Sequence, residues 1–124
     1  MVKNVVVWFD VPTTDFKRAV KFYSTILGEE VKITDYMNQT LGMFPMAGRD
    51  GVGGDIVPPD PNLKPSPDGV RVYLGVEGKM DEVIGRVAGA GGKIIRPKEQ
   101  MGKIGWIAII RDSEGNTVGL HSAK

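Results

Sequence analysis

The chain has 124 residues, of which 41% are hydrophobic and 25% are charged, and its formal net charge is +1. This length suits one compact domain, and the scattered Lys and Arg residues form no basic stripe for a nucleic-acid backbone. The absence of cysteine excludes disulfides, a thiolate nucleophile and thiolate metal ligands. No apolar run reaches the length of a membrane span, and residues 1–4 lack the features of a signal peptide. We therefore expect a cytoplasmic protein with no nucleic-acid or membrane partner.

The first half of the chain indicates one strand, one helix and three further strands. A valine-rich run at 5–11 predicts the opening strand. Apolar residues then recur at helical spacing up to a stop at Gly28, and either Thr14 or Asp15 can cap the start of this helix. Turn-forming residues separate three more strand candidates, at 30–33, 39–46 and 52–57.

The second half repeats this order after a stiff connection. Residues 58–69 contain five prolines, which cannot continue a central strand and indicate a linker. Pairing Trp8 with Arg71 gives an offset of 63 residues, which relates a first module, 1–57, to a second module, 70–124. Each module is too small to bury a core alone, so the two should fold together. The second module's predicted elements are strand 71–76, helix 80–87 and strands 93–96, 104–111 and 117–121, with a hairpin turn at 112–116.

Two segments of this duplicated βαβββ pattern carry a family resemblance. The helical segment 15–23 precedes a Leu-Gly stop, and residues 111–120 read Arg-Asp-Ser-Glu-Gly-Asn-Thr-Val-Gly-Leu. Together they resemble the glyoxalase/bleomycin-resistance/dioxygenase group, the vicinal oxygen chelate superfamily, whose members close with an Asp-Pro-(Asp/Glu)-Gly-Asn turn and a last strand. The resemblance implies an α+β fold in which two tandem βαβββ modules form a cupped mixed sheet.

In the metal-dependent members, the resemblance implies four inward-facing metal ligands, two from each module. On this chain those positions fall at Trp8, Asp55, Arg71 and Gly119. Tryptophan, arginine and glycine supply no ordinary side-chain ligand to zinc, nickel or iron. The usual tetrad is therefore absent, which argues against glyoxalase I and ring-cleaving dioxygenase activity, and we expect no metal cofactor.

Alternation along the strands adds neighbours on the same faces, because side chains two apart on a strand point the same way. If the chain carries out a reaction, Asp10 or Asp55 would act as the base. His121, the only histidine, would act as acid or base. Arg71 would hold an anionic group of the ligand, and Trp8 and Tyr73 would stack on a planar ligand. The predicted concave surface consists of Trp8, Asp10, Asp55, Arg71, Tyr73 and His121.

Four of these residues also have a structural alternative. An internal ion pair between Asp10 and Arg71 would occupy both charges. His121 would be an exposed strand end close to the C-terminus, and Trp8 would be core filler. The apolar stretch 43–46 is interpreted as core strand, with a ligand mouth or a dimer seam as the alternative.

The resemblance and the missing tetrad lead to two functional expectations. The first is a homodimer, similar to the bleomycin-resistance proteins, that binds a small organic molecule in a cavity between its two modules. The second is a lyase or isomerase for a small oxygenated metabolite. It would use a divalent metal at a displaced site, formed by two carboxylates and one imidazole, or a metal-free acid–base pair.

Overall fold

The computed structural model describes residues 2–48 and 50–124. It confirms the α+β class and the duplicated βαβββ order. A short 3₁₀ turn, Gly102–Ile104, connects the second and third strands of the second module. The elements are β1 (Asp10–Val11), α1 (Phe16–Leu27), β2 (Lys32–Tyr36), β3 (Gln39–Met43), β4 (Asp55–Ile56), β5 (Tyr73–Gly75), α2 (Met80–Val87), β6 (Lys93–Gln100), β7 (Trp106–Arg111) and β8 (Thr117–Ser122).

The strands form two four-stranded mixed sheets, one from each module. Their orders are β1-β4-β3-β2 and β5-β8-β7-β6, and β1–β4 and β5–β8 are the parallel pairs. Within the described residues, no hydrogen-bonded ladder joins the two sheets. The first strand of each module is therefore a free sheet edge.

Both helices turn one apolar stripe towards a shared core. Ala19, Tyr23 and Ile26 on α1 and Val87 on α2 are fully buried, and the two helices pack against each other. Asp15 is the N-cap of α1 and accepts a hydrogen bond from the backbone N–H of Arg18, as the sequence indicates. Neither helix of the described chain is long and apolar enough to cross a membrane.

The hairpin turn between β7 and β8 fastens the second module to the first. Glu114 in this turn accepts hydrogen bonds from the backbone N–H of Asp15 at 2.8 Å and from Nε of Arg18 at 2.8 Å. Below it, the buried hydroxyl of Tyr23 donates to Asp112 at 2.6 Å. The sequence predicts this segment only as a turn, whereas in the structure its side chains also form hydrogen bonds to the first module. We call these contacts of Asp112 and Glu114 the clasp between modules.

Several strand boundaries differ from the predicted ones, and three of these differences have a direct physical reason. The run 5–11 is paired only at its end, because β1 is a sheet edge and residues 5–8 have no partner strand within residues 2–48 and 50–124. The predicted strand 52–57 shortens to β4 after the glycine-rich stretch Gly51–Gly54. Conversely, β6 continues through Pro97 to Gln100, because an edge strand with register shifts tolerates proline.

The proline-rich connection 58–69 lies against the second module. The backbone N–H of Ser66 donates to Oδ1 of Asn116 at 3.1 Å, and the Thr117 hydroxyl donates to the carbonyl of Pro67 at 2.9 Å. The linker is thereby held on the start of β8.

Candidate functional site

A half-open cleft of about 410 Å³ lies between the two modules. The first module lines it with Phe9, Phe44 and Met46, and the second module lines it with Tyr73 and Val83. Charged residues also border it, namely Glu29, Glu77 and Lys79. The volume lies in the range of small-molecule pockets, which usually measure about 300–1,000 Å³, and the lining combines apolar and polar groups.

The aromatic wall of the cleft is anchored in the core. The ring centroids of Phe9 and Phe44 lie 5.6 Å apart, and Phe44 meets Tyr23 edge to face at 5.2 Å. The Phe9 ring lies over Gly54, where an added Cβ would overlap it. A glycine is therefore required at this point for the wall to form.

The interpretation of residues 43–46 as core strand was wrong for most of this stretch. β3 ends at Met43, and residues 44–46 leave the sheet and line the cleft. The Met46 sulfur approaches Gly53, as does the Trp8 ring, whose Cζ3 would lie 2.9 Å from a Cβ added at this glycine. Trp8 therefore lies beside the mouth of the cleft.

The structure brings together the three predicted residues of the first module. Asp10 and Asp55 are register partners on the parallel strands β1 and β4, so their side chains are neighbours on one face. Asp55 is only 3% exposed, and its Oδ1 has no hydrogen-bond partner in the described chain. Burial, followed by the hydrogen bond and the charge of Asp10, raises the pKa of Asp55 to about 7, and a hydrogen bond with Trp8 partly opposes this.

The second module arranges its predicted residues differently. Tyr73 is the register partner of Gly119, and a Cβ added at this glycine would overlap the Tyr73 ring. His121 is the register partner of Gly75, and its Nε2 donates to the carbonyl of Ile104 at 2.5 Å. The imidazole is thus held by the backbone of the 3₁₀ turn, a contact that the sequence did not indicate.

Within one chain, the six predicted residues do not form one pocket. Among the described residues, Trp8, Asp55, Arg71 and His121 line neither the cleft nor a second cavity of about 350 Å³ beneath the linker. The cleft includes Tyr73, and the second cavity includes Asp10.

The alternative of an internal ion pair between Asp10 and Arg71 is also contradicted. The ion pairs formed within 2–48 and 50–124 do not include it. The neighbour of Asp10 is another carboxyl group, that of Asp55.

The residues present do not fit the metal tetrad that the resemblance implies. Of its four positions, only Asp55 bears a side chain that ordinarily binds zinc, nickel or iron. Across the residues that the structure describes, no group of three or more His, Cys, Asp or Glu side chains is placed to hold a metal ion.

Sequence reasoning missed the charged residues that border the cleft. Glu29 follows the end of α1, and Lys79 occupies the N-cap position of α2. Glu77 accepts a hydrogen bond from the backbone N–H of Ala123 at 2.6 Å. They stand at helix ends, outside the strand faces on which the predicted site was built.

Comparison with known proteins agrees with this fold. The sequence profile of the Glyoxalase/Bleomycin resistance protein/Dioxygenase superfamily matches residues 5–120. The putative glyoxylase CFP32 of Mycobacterium bovis and of Mycobacterium tuberculosis is 29% identical over 123 residues, which cover 94% of this chain and 45% of the relative. The chain therefore spans about half the length of these curated relatives.

Solved structures show the same architecture. A glyoxalase/bleomycin resistance protein from Albidiferax ferrireducens T118 superposes with a TM-score of 0.72 at 16% identity, covering 96% of this chain and 98% of that one. TnmS3, an antibiotic binding protein from Streptomyces sp. CB03234, superposes with a TM-score of 0.68 at 20% identity, covering 100% and 99%. Because the family profile extends over nearly the whole chain, the protein belongs to the glyoxalase/bleomycin resistance protein/dioxygenase superfamily.

Proposed function

We propose that this protein binds a small organic molecule in the cleft between its two modules. The observation that carries the proposal is the cleft itself, half-open, about 410 Å³ in volume and lined by both modules. Aromatic walls favour a planar, apolar ligand body, and the charged residues along the cleft would orient its polar groups.

The charged residues along the cleft restrict the chemical class of the proposed ligand further. Glu29, Glu77 and Lys79 offer both signs of charge, so a ligand with an aromatic body and polar substituents fits better than a plain hydrocarbon. The antibiotic binding protein TnmS3 has the same fold, which makes aromatic antibiotics a sensible first group of compounds to test.

A binding titration with a matched pair of variants tests this proposal. The purified protein is screened by ligand-observed NMR against aromatic natural products, bleomycin among them. Met46→Trp fills the cleft mouth and should weaken binding about tenfold or more, a loss of about 1.4 kcal/mol. Met101→Trp places the same side chain outside the cleft and should leave binding unchanged. If no compound bound, or if both variants bound equally well, the cleft would not be the site.

We also propose that the protein forms a homodimer through its free sheet edges. Val5, Val7 and Val70 flank these edges and are 94%, 77% and 93% exposed. Unpaired strands with exposed apolar side chains are templates for pairing with another chain. If β1 of one copy lay beside β5 of its partner, the two halves of the predicted face would become neighbours. Sedimentation velocity over a range of concentrations would detect the dimer.

A second function, catalysis by a lyase or isomerase of a small oxygenated metabolite, is favoured by one observation. The pKa of Asp55, raised to about 7 by burial and by Asp10, suits a general base at neutral pH. Nε2 of His121 already donates to a backbone carbonyl, so the carboxyl pair would carry the proton transfer.

Turnover of a panel of hydroxy and keto acids would test this second function. Asp55→Asn should abolish turnover while ligand binding persists, and His121→Gln should retain it. If turnover were unchanged in both Asp55→Asn and Asp10→Asn, the hypothesis that the carboxyl pair is catalytic would be rejected.

A further inference from the structure

The cleft and the second cavity follow one another along the gap between the two sheets. The first module contributes Phe9 to the cleft and residues 9–12 to the second cavity. The second module contributes residues 73–77 to the cleft and residues 69, 70 and 72 to the second cavity. Within the described chain, Phe9 is the one residue that lines both. The two cavities are therefore neighbouring chambers that meet at this residue.

Local contacts hold Phe9 at this junction. Its carbonyl accepts a hydrogen bond from the backbone N–H of Asp55 at 3.0 Å, which ties its backbone to β4. Its ring lies over Gly54, where an added Cβ would overlap it, and packs 5.6 Å from the Phe44 ring. The Gly54 carbonyl in turn accepts from the backbone N–H of Phe44 at 3.2 Å. The Phe9 ring is thus held on the first module where the cleft meets the second cavity.

The second cavity offers an apolar surface beyond Phe9. Its lining includes Val11 and Val118, which are 7% and 5% exposed. The amide group of Asn116 also lines it, but hydrogen bonds within the chain already occupy this group. The charged residues of the lining, Asp10 and Lys64, are exposed, so their charges stay hydrated. Such a chamber suits a hydrocarbon tail better than a polar group.

We propose that Phe9 sets the length of the ligand that the cleft accepts. This inference rests on the proposed function, because it concerns a ligand of the same cleft. With the ring in place, the ligand is confined to the cleft of about 410 Å³. A smaller side chain at this position opens the second cavity, of about 350 Å³, to the apolar tail of a longer ligand. The wild type thus takes compact aromatic compounds and gains nothing from a long alkyl tail.

Two alkylphenols of different length test this role of Phe9. The compounds para-ethylphenol and para-octylphenol share one aromatic head and differ only in the length of the tail. Their dissociation constants are measured by ligand-observed NMR for the full-length wild type, Phe9→Ala and Phe9→Leu. The leucine variant retains more of the packing against Phe44, and thermal unfolding shows that each variant is folded before it is titrated.

A second substitution separates the two chambers. Leu63→Trp, made in the Phe9→Ala background, narrows the second cavity from the side of the linker. Leu41→Trp in the same background is the matched control, because Leu41 is also half-buried but lines neither chamber.

The wild type should bind para-octylphenol no more tightly than para-ethylphenol. Phe9→Ala should bind the octyl compound at least about tenfold more tightly than the ethyl compound, because burial of the added methylene groups is favourable. Phe9→Leu should show a smaller gain. Leu63→Trp should cancel the gain and Leu41→Trp should preserve it. Nuclear Overhauser contacts should connect the terminal methyl group of the octyl chain with Val118 in Phe9→Ala.

Three results would overturn the inference. The first is the same length preference in the wild type and in both Phe9 variants. The second is a gain in Phe9→Ala that persists after Leu63→Trp, because the tail would then lie elsewhere. The third is an absence of alkylphenol binding to both Phe9 variants while the wild type binds aromatic natural products.

The two proposals fail in different ways. If aromatic compounds bind the wild type and Met46→Trp weakens that binding, the proposed function stands even where the Phe9 variants show no change in length preference. If the wild type binds neither the alkylphenols nor the aromatic natural products, the proposed function itself is wrong.

Discussion

Replacing Glu114 by glutamine should destabilise the fold in a pH-dependent way. The Glu114 side chain is fully buried and accepts hydrogen bonds from the backbone N–H groups of Thr14 and Asp15 and from Nε of Arg18, at 2.9, 2.8 and 2.8 Å. Burial alone would raise the pKa of Glu114. The hydrogen bonds from Arg18, from the two backbone N–H groups and from Ser113 outweigh this effect and lower the pKa from 4.5 to about 2.

A pKa change of this size corresponds to about 3 kcal/mol of stability. Because the pKa of Glu114 is lower in the folded state, this stabilisation is present above pH 4.5 and is lost as the pH falls towards 2. The Arg18 side chain is 52% exposed, so its ion pair contributes only about 0–1 kcal/mol. Most of the effect should come from the N–H groups at the positive end of α1.

Urea unfolding at neutral pH and at about pH 3 measures this effect. Glu114→Gln should lose about 2–3 kcal/mol at neutral pH and about half of that at pH 3, because at pH 3 the Glu114 carboxyl group is protonated in the unfolded chain but still ionised in the fold. Glu30→Gln, which neutralises an exposed carboxylate, serves as the control. A loss below about 0.5 kcal/mol at neutral pH, or the same loss at both pH values, would refute the role of Glu114 as the clasp between modules.

Three further predictions concern the site and its surroundings. Because the folded pKa of Asp55 is about 7 and its ordinary value is 3.8, the wild type should lose stability as the pH rises between them. The free energy of unfolding of Asp55→Asn should therefore exceed that of the wild type by up to about 4 kcal/mol at pH 8 but not at pH 4, with a higher melting temperature at pH 8. A lower melting temperature for Asp55→Asn at pH 8 would contradict this. Gly119→Ala should cost about 1–3 kcal/mol in thermal unfolding, because the new Cβ overlaps the Tyr73 ring, whereas Gly75→Ala meets open space and should have little effect; equal losses would contradict the packing. Val70→Lys should weaken the proposed dimer at least about tenfold in sedimentation while monomer stability stays within about 0.5 kcal/mol, and an unchanged dimer would place the interface elsewhere.

The regular parts of the fold could be predicted from the sequence because local signals determine them. Helix α2 has the predicted bounds, and the Asp15 cap and the Gly28 stop of α1 lie where the composition indicates. Strand ends were less predictable, because pairing depends on distant partners. The valine run 5–11 has strong strand propensity, yet only its last residues find a strand to pair with inside the chain.

Only some features of the candidate site could be predicted from the sequence. Asp10 and Asp55, which the alternation argument placed on one face, are register partners on β1 and β4. Alternation could not show that Asp10 pairs with Asp55 instead of Arg71, because that choice depends on how the two sheets are arranged. The clasp at Glu114 was missed for a similar reason, because it connects residues about 100 positions apart.

The duplicated scaffold also explains why the two halves of the site differ chemically. Asp10 and Tyr73 occupy equivalent positions on the first strands, and Asp55 and Gly119 occupy equivalent positions on the last strands of their modules. In the first module this pair is two carboxyl groups, and in the second it is an aromatic ring lying on a glycine. At these matched positions one module therefore carries two carboxyl groups and the other carries an aromatic ring on a glycine. The two halves of the fold are thus related in backbone but not interchangeable in the groups that they could present to a ligand.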